Sequence, residues 1–384
     1  MRILIWVEVF WPHIGGAETF TANLISALAK RAHQPIVVTR EDDPSLAGET
    51  TFNGVPIYRF PFYTALAPGN IEQLIAIRQR MINLQLSFAP EVVHVNCFGP
   101  GMFFYTETAK AYSAPLLMTF HSDNYTVTGP QTLMQRLMHM ADWITAPSAS
   151  TLQYARRLAP AITSSSSVIY NGVQASPVVP SPLSFDRPHL LCLGRLAPEK
   201  GFRSALQAFG SLITRFPSAH LTIAGGGLER TALEEQVKCL GLCQSVTFHG
   251  WIPPQEVPAL INTASLVVMP SYREGLPLVA IEAALMGRPV VATLVGGLPE
   301  VVVHQKTGLL VQKDDVHALS EAISFLLSHP AESVRMGEAA RSRSLEVFSL
   351  ERCVDSYEAL YSKLVNKERH AQQTSTVTTQ DSAV

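Results

Sequence analysis

At 384 residues the chain is long for one hydrophobic core and comfortable for two. A hydrophobic content of 47% against 16% charged residues excludes a disordered polymer. A formal net charge of −2 with no basic run argues against a nucleic-acid partner. Five cysteines, Cys97, Cys192, Cys239, Cys243 and Cys353, sit mostly in apolar segments without zinc spacing, so reduced, buried thiols in a cytoplasmic protein are expected. No stretch of about twenty apolar residues is present, and the start, MRILIWVEVFW, is too short for a secretory signal.

The first half alternates short apolar runs with helical periodicity. Residues 2–9 read as a buried parallel strand, 10–16 as a loop, 17–32 as a helix and 36–38 as a strand. That succession opens a doubly wound α/β sheet. Further strands are expected at Val55–Phe60, Val92–Val95, 116–120, Trp143–Ala146 and 168–170, with helices at 71–86, 134–141 and 150–158. Segments 71–86 and 131–140 carry few cations, so they are expected to pack on the core, leaving at most a weak peripheral contact with a membrane's inner face. The proline-rich segment 175–188 reads as a linker. Beyond it, strands at His189–Leu193, 221–224, 246–251, Leu266–Met269 and Val290–Thr293 alternate with helices at 202–216, 229–240, 255–262 and 276–286. A helix at 348–364 presents Tyr357, Leu360, Tyr361 and Leu364 on one face, and the polar residues 367–384 should lack regular structure.

Four stretches carry chemistry. The loop Pro12-His13-Ile14-Gly15-Gly16 before a helix is either a phosphate-receiving turn or simply a tight one, and it lacks the G-x-G-x-x-G spacing of dinucleotide binders. His121, with Ser122 and Asp123, follows a strand end, where a histidine can face a ligand or be held structurally. Arg195 and Lys200 stand five residues apart at a strand-to-helix turn, so both can converge on one anion. Gly225-Gly226-Gly227 can line a nucleotide site or make a turn. In the stretch MPSYREGLPLVAIEAALMGRPVVAT, Glu274 lies in a loop and Glu282 in a helix of almost wholly apolar neighbours, where a carboxylate needs a partner or ligand.

A glutamate, seven residues and a second glutamate after a buried strand resemble the signature of retaining glycosyltransferases of family 4. The segment from Gly194 to Gly201 resembles that family's diphosphate-binding motif, and Gly296-Gly297-Leu298-Pro299-Glu300 and Gly308-Leu309-Leu310-Val311 resemble its later strings. The resemblance extends to about residue 366. It departs at the hinge, where Asn171-Gly172-Val173 is followed by Gln174 in place of the usual aspartate.

The resemblance implies a GT-B fold: two Rossmann-like domains, 1–174 and 189–347, facing across a cleft, with a helix at 348–366 crossing back to the first. It implies a nucleotide-sugar donor as co-substrate, with no metal or other cofactor, and an acceptor that is a glycan, a lipid-linked molecule or a small molecule. Arg195 and Lys200 would neutralise the diphosphate. Glu274 would meet sugar hydroxyls, Glu282 the ribose, and His121 the sugar. Gly15 and Gly16 would approach the pyrophosphate, and Gly275, Leu276, Pro277 and Leu278 would line the donor. Gly250 and Trp251 would meet the base. A nucleotide-sugar 2-epimerase on the same fold and a catalytically silent binding module are the rival readings.

Overall fold

The structure is a computed structural model that describes residues 1–13, 15–41, 43, 45–96, 98–122 and 132–381, with side chains as far as residue 370. It divides into two compact units, one holding the chain to Gly172 and again from Leu350, the other Val173–Ser349.

The first unit is built on an eight-stranded sheet. Its strands are β1 (Arg2–Trp6), β2 (Gln34–Arg40), β3 (Glu49–Phe52), β4 (Val55–Phe60), β5 (Val92–Val95), β6 (Leu116–Thr119), β7 (Trp143–Ala146) and β8 (Ser166–Val168). They lie in the order β3-β4-β2-β1-β5-β6-β7-β8, all parallel except for the antiparallel β3–β4 pair. Alternate residues of β1 face opposite ways, and both ways are buried. Leu4 and Trp6 join one core with Val93, Val95 and Met118, while Ile3 and Ile5 join the other with Phe20, Leu24, Tyr357 and Tyr361. A strand covered on both faces has no polar side, which is why ILIW, after the exposed Arg2, reads as a continuous apolar run.

The second unit has six parallel strands. They are β9 (His189–Leu193), β10 (His220–Ala224), β11 (Val246–Gly250), β12 (Leu266–Met269), β13 (Val290–Thr293) and β14 (Gly308–Val311), in the order β11-β10-β9-β12-β13-β14. The order reverses beside β9, so the loops leaving β9 and β12 flank a switch point, the usual ligand position of such sheets.

The helix that begins at Leu350 belongs to the first unit, as expected of a crossing-back helix. Its stripe of Tyr357, Leu360, Tyr361 and Leu364 is buried against β1 and the helix Gly16–Lys30. It is longer than the sequence suggests, running from Leu350 to Asp381 and so into the segment expected to lack regular structure. Arg369 pairs with Glu91 at 2.9 Å, and Ser113 donates to Glu368, which ties part of that segment to the loops that lead into β5 and β6.

Elsewhere the expectations need correction. The unit boundary precedes the proline-rich segment, because that segment is fastened to the second unit. Arg288, only 1% exposed, donates to the Ser181 carbonyl at 2.8 Å and to the Asn262 carbonyl at 2.6 Å, and Asn262 in turn holds Val179 and Ser181. Strand β3 and the helices Met102–Thr108, Val316–Ser328 and Pro330–Val347 are additions. Cys192 and Cys353 are buried, but Cys239 and Cys243 are exposed, since they lie at and beyond the solvent side of a helix end; Cys97 is outside the described residues. The helix Ile71–Phe88 packs Ile77 and Met81 on the core yet leaves Ile71, Ile75 and Leu86 exposed. Among the described residues no helix is long and apolar enough to cross a membrane.

Candidate active site

The second unit gathers its candidates on the loops that leave the carboxyl ends of its strands. After β9 the chain passes through Gly194 and Arg195 to a short turn, Pro198–Lys200, and enters the helix Phe202–Leu212 at Gly201. Gly201 has φ +66°, and a Cβ there would stand 2.0 Å from the Pro270 carbonyl oxygen, so only glycine lets this turn lie against the end of β12. That approach sets Lys200 beside Glu274. Its Nζ lies 2.7 Å from Glu274 Oε1, which also accepts from Ser271 Oγ at 2.7 Å.

The Glu274 backbone is held from the other side. Gly297 N–H donates to its carbonyl at 3.2 Å, and at Gly296, φ +51°, a Cβ would fall 1.7 Å from that same oxygen. Thr293, at the end of β13, donates to the Ser271 carbonyl. Glu274 is 8% exposed, and among the described residues its bonds from Lys200 and Ser271 both fall on Oε1 and leave Oε2 outside them. A buried carboxylate with one oxygen doubly bonded and the other unengaged is an acceptor for a ligand hydroxyl.

Glu282 stands in the second turn of the helix Leu278–Leu285, preceded by Gly275, Leu276 and Pro277. Pro277 caps this helix rather than lying within its first turn, a one-residue shift. Among the described residues no cation or donor reaches the Glu282 carboxylate, and burial pushes it up to about 7. Arg195 is not drawn into the Lys200–Glu274 pair. Its side chain is 72% exposed and meets Glu199 at 2.8 Å. Gly250 lies on the neighbouring edge, its carbonyl accepting from Gly225 N–H at 2.7 Å, with Trp251 exposed beside it. The structure thus brings Lys200 and Glu274 into contact and sets Arg195, Gly250, Trp251 and the 275–282 segment around the same sheet edge.

The first unit carries the remaining candidates. Gly15 caps the helix Gly16–Lys30; a Cβ at Gly16 would meet nothing within 4 Å, whereas one at Gly15 would stand 2.3 Å from Glu18 Oε2, so the helix start is open to close approach on the Gly16 side and covered by that carboxylate at Gly15. His121 is partly buried two residues past β6, its Nε2 2.8 Å from Asn96 Oδ1 and its ring 5.4 Å from that of Phe20. Burial pulls its pKa down to about 4, an opposing contact with the Asn96 backbone offsetting this only in part, so the ring is neutral at ordinary pH. Asp123 lies outside the described residues. Ser271, Asn96 and Thr21 were missed from the sequence. For Asn96 the signal exists in Val93-His94-Val95-Asn96, where two polar residues alternate within a buried strand. Among the described residues no three His, Cys, Asp or Glu side chains converge as a metal-binding group.

Comparison with known proteins decides between the families that share such an edge. The model of glycosyltransferase family 4 matches residues 14–176, and that of glycosyl transferases group 1 matches residues 180–343. The chain belongs to the family 4 glycosyltransferases. A glycogen synthase of Mycobacterium tuberculosis is 28% identical to this family 4 member over 97% of each chain. A GDP-mannose-dependent alpha-(1-6)-phosphatidylinositol monomannoside mannosyltransferase of Mycolicibacterium smegmatis is 38% identical over 42% of this chain and 44% of its own. The solved structure of Anabaena HepE in complex with UDP and glucose is 21% identical, with a TM-score of 0.79 over 95% of this chain and all of that one. The fold is therefore GT-B, and the protein is a nucleotide-sugar glycosyltransferase.

Proposed function

We propose that this glycosyltransferase moves a hexose from a UDP- or GDP-linked donor, with retention at the anomeric carbon, to a glycan, lipid-linked or small-molecule acceptor. The observation that carries the proposal is Glu274, fixed through one oxygen by Lys200 and Ser271 and open at the other. Oε2 accepts a sugar hydroxyl, which fixes the sugar relative to the ammonium group. Lys200 has three N–H donors and uses one on Glu274, so the same group also reaches a phosphate oxygen.

As the glycosidic bond to phosphate breaks, negative charge grows on the departing diphosphate and positive charge on the anomeric carbon. Lys200, Arg195 and the N–H groups at the start of the helix Phe202–Leu212 stabilise the former, so the chemistry requires no metal ion. Glu282, held partly protonated near neutral pH by its apolar surroundings, exchanges hydrogen bonds with the ribose diol. His121 contributes to holding the sugar, the Gly15-Gly16 turn approaches the pyrophosphate, and Gly250 and Trp251 border the base. The enzyme works in the cytoplasm, at most loosely at the inner face of a membrane, in the synthesis of a surface polysaccharide or glycolipid.

The test begins with melting curves in UDP-, GDP- and ADP-sugars, since a specific donor raises the melting temperature by mass action. The responding donor is then incubated with acceptors in the presence of EDTA, and the product anomer is read by proton NMR. Transfer with retained configuration supports the proposal. Conversion of the donor without acceptor, or inverted product, overturns it.

A further inference from the structure

We infer that Asn96 and Thr21 act together as positioning residues that fix the tautomer of His121, keeping its hydrogen on Nε2 and offering the Nδ1 lone pair to a sugar hydroxyl. The inference rests on the reading of His121 as a donor-site residue and adds how that residue is set.

The argument runs along a chain of hydrogen bonds whose direction is imposed at one end. The Ala17 carbonyl, in the first turn of the helix Gly16–Lys30, can only accept. Thr21 Oγ1 lies 2.8 Å from it, so the single hydroxyl hydrogen is spent there. Thr21 can then only accept from Asn96, which must turn its amide nitrogen toward Thr21. The amide oxygen is left facing His121 Nε2 at 2.8 Å, and an oxygen acceptor requires the hydrogen on that nitrogen. Asn96 is fully buried and Thr21 is 1% exposed, so water does not compete for either. A buried carboxamide reversed end for end would set its oxygen against a hydroxyl whose hydrogen is already spent, losing the bond to Thr21, and its NH2 would need an unprotonated Nε2, the other tautomer.

The consequence is a neutral ring that accepts through Nδ1. It does not serve as a cation toward phosphate. Among the titratable groups on the surrounding elements, Glu18 lies on the same helix as Thr21, His94 on β5, and Tyr357 and Tyr361 on the last helix. His94 is held down to about 3 and Tyr357 is pushed well up, both by burial, so neither changes charge near neutrality.

The test is long-range proton–nitrogen NMR on the full chain labelled with 15N-histidine, with the His121 signals assigned by their loss in His121→Gln. The expected parent spectrum has Nε2 in the protonated range and Nδ1 in the unprotonated range from pH 6 to 8. Thr21→Val frees the amide to turn, and the His121 signals become a tautomer mixture with turnover reduced by about tenfold, the loss of one directed hydrogen bond. Asn96→Asp keeps an oxygen on Nε2, retains that tautomer and carries the imidazolium to higher pH, shifting the pH–rate profile with it. A protonated Nδ1 in the parent, or a Thr21→Val spectrum identical to the parent's, overturns the inference. These spectra need no substrate, so they stand apart from the functional reading; full turnover in His121→Gln would remove the catalytic part and leave the tautomer assignment.

Discussion

The ammonium nitrogen of Lys200 lies 2.7 Å from Oε1 of Glu274, joining a loop that follows β9 to one that follows β12. Glu274 is the more buried partner, with a side chain 7% exposed against 23% for Lys200. The pair therefore has two separable roles, as counter-charge within the fold and as the anion-facing group of the site.

Lys200→Ala is expected to cost about 2 kcal/mol, somewhat less than a fully buried pair because Lys200 retains some contact with water. Turnover should fall by about 10²-fold or more, the range for losing one electrostatic group at a reacting centre. Adding Glu274→Gln removes the uncompensated carboxylate, so the double variant should regain stability in urea titration while turnover stays low. Recovery of turnover in the double variant would contradict the second role.

Glu282 imposes a pH dependence of known sign. Its carboxyl is near 7 when folded and near 4.5 otherwise, so the folded chain binds more protons between these values and stability falls as pH rises from about 4.5 to 7. The loss is on the order of 2 kcal/mol, discounted for the partial exposure of the group. Glu282→Gln should remove this component, which urea midpoints at pH 5 and pH 7.5 would reveal as a smaller difference than in the parent.

Gly296→Ala is expected to lower both stability and turnover. The added Cβ would stand 1.7 Å from the Glu274 carbonyl oxygen and at φ +51°, so the Glu274 loop must shift. Gly54→Ala is the matched control. It carries φ +81° but its Cβ meets nothing within 4 Å, so it should cost about 1 kcal/mol and leave turnover unchanged. Equal turnover in the two variants would show that the Gly296 contact does not set the site.

Tyr361→Phe removes the hydroxyl 2.7 Å from Nδ1 of the fully buried His94. Leaving that ring nitrogen without a partner should cost about 1–3 kcal/mol in chemical denaturation. Tyr357→Phe should cost less, since its hydroxyl reaches Thr119 only at 3.3 Å and Thr119 keeps His94 and Thr145 at 2.7 Å.

The parallel strands were legible because burial on both faces makes them unbroken apolar runs, as in residues 3–6 and Leu266–Met269. Strand β3, ETTF, was not, because it is a mostly exposed edge strand without an apolar side; the turn at Asn53-Gly54, both left-handed, was its only signature. At the site, Lys200 and Glu274 were legible as charges at loop positions, and their contact was not. It depends on how closely Gly201 and Gly296 let three loops approach, which spacing along the chain does not encode. Arg195 shows the opposite case: its place beside Lys200 in the sequence suggested convergence, whereas a four-residue reach to Glu199 holds it aside. Asn96 escaped notice because the alternation of His94 and Asn96 marks a buried polar face without saying which side chains across the sheet it meets.

The return of the last helix to the first unit fixes the order in which the protein can be completed. Val173 and Ser349 pair as a bridge where the chain leaves and comes back, so the second unit is a closed insertion that can finish folding while the remainder is still being synthesised. Until the residues after Leu350 emerge from the ribosome, Ile3, Ile5, Phe20 and Leu24 have no Tyr357 or Tyr361 to cover them. The first unit, begun earliest, is therefore finished last, and a premature stop near residue 349 would leave a folded second unit attached to an open apolar sheet.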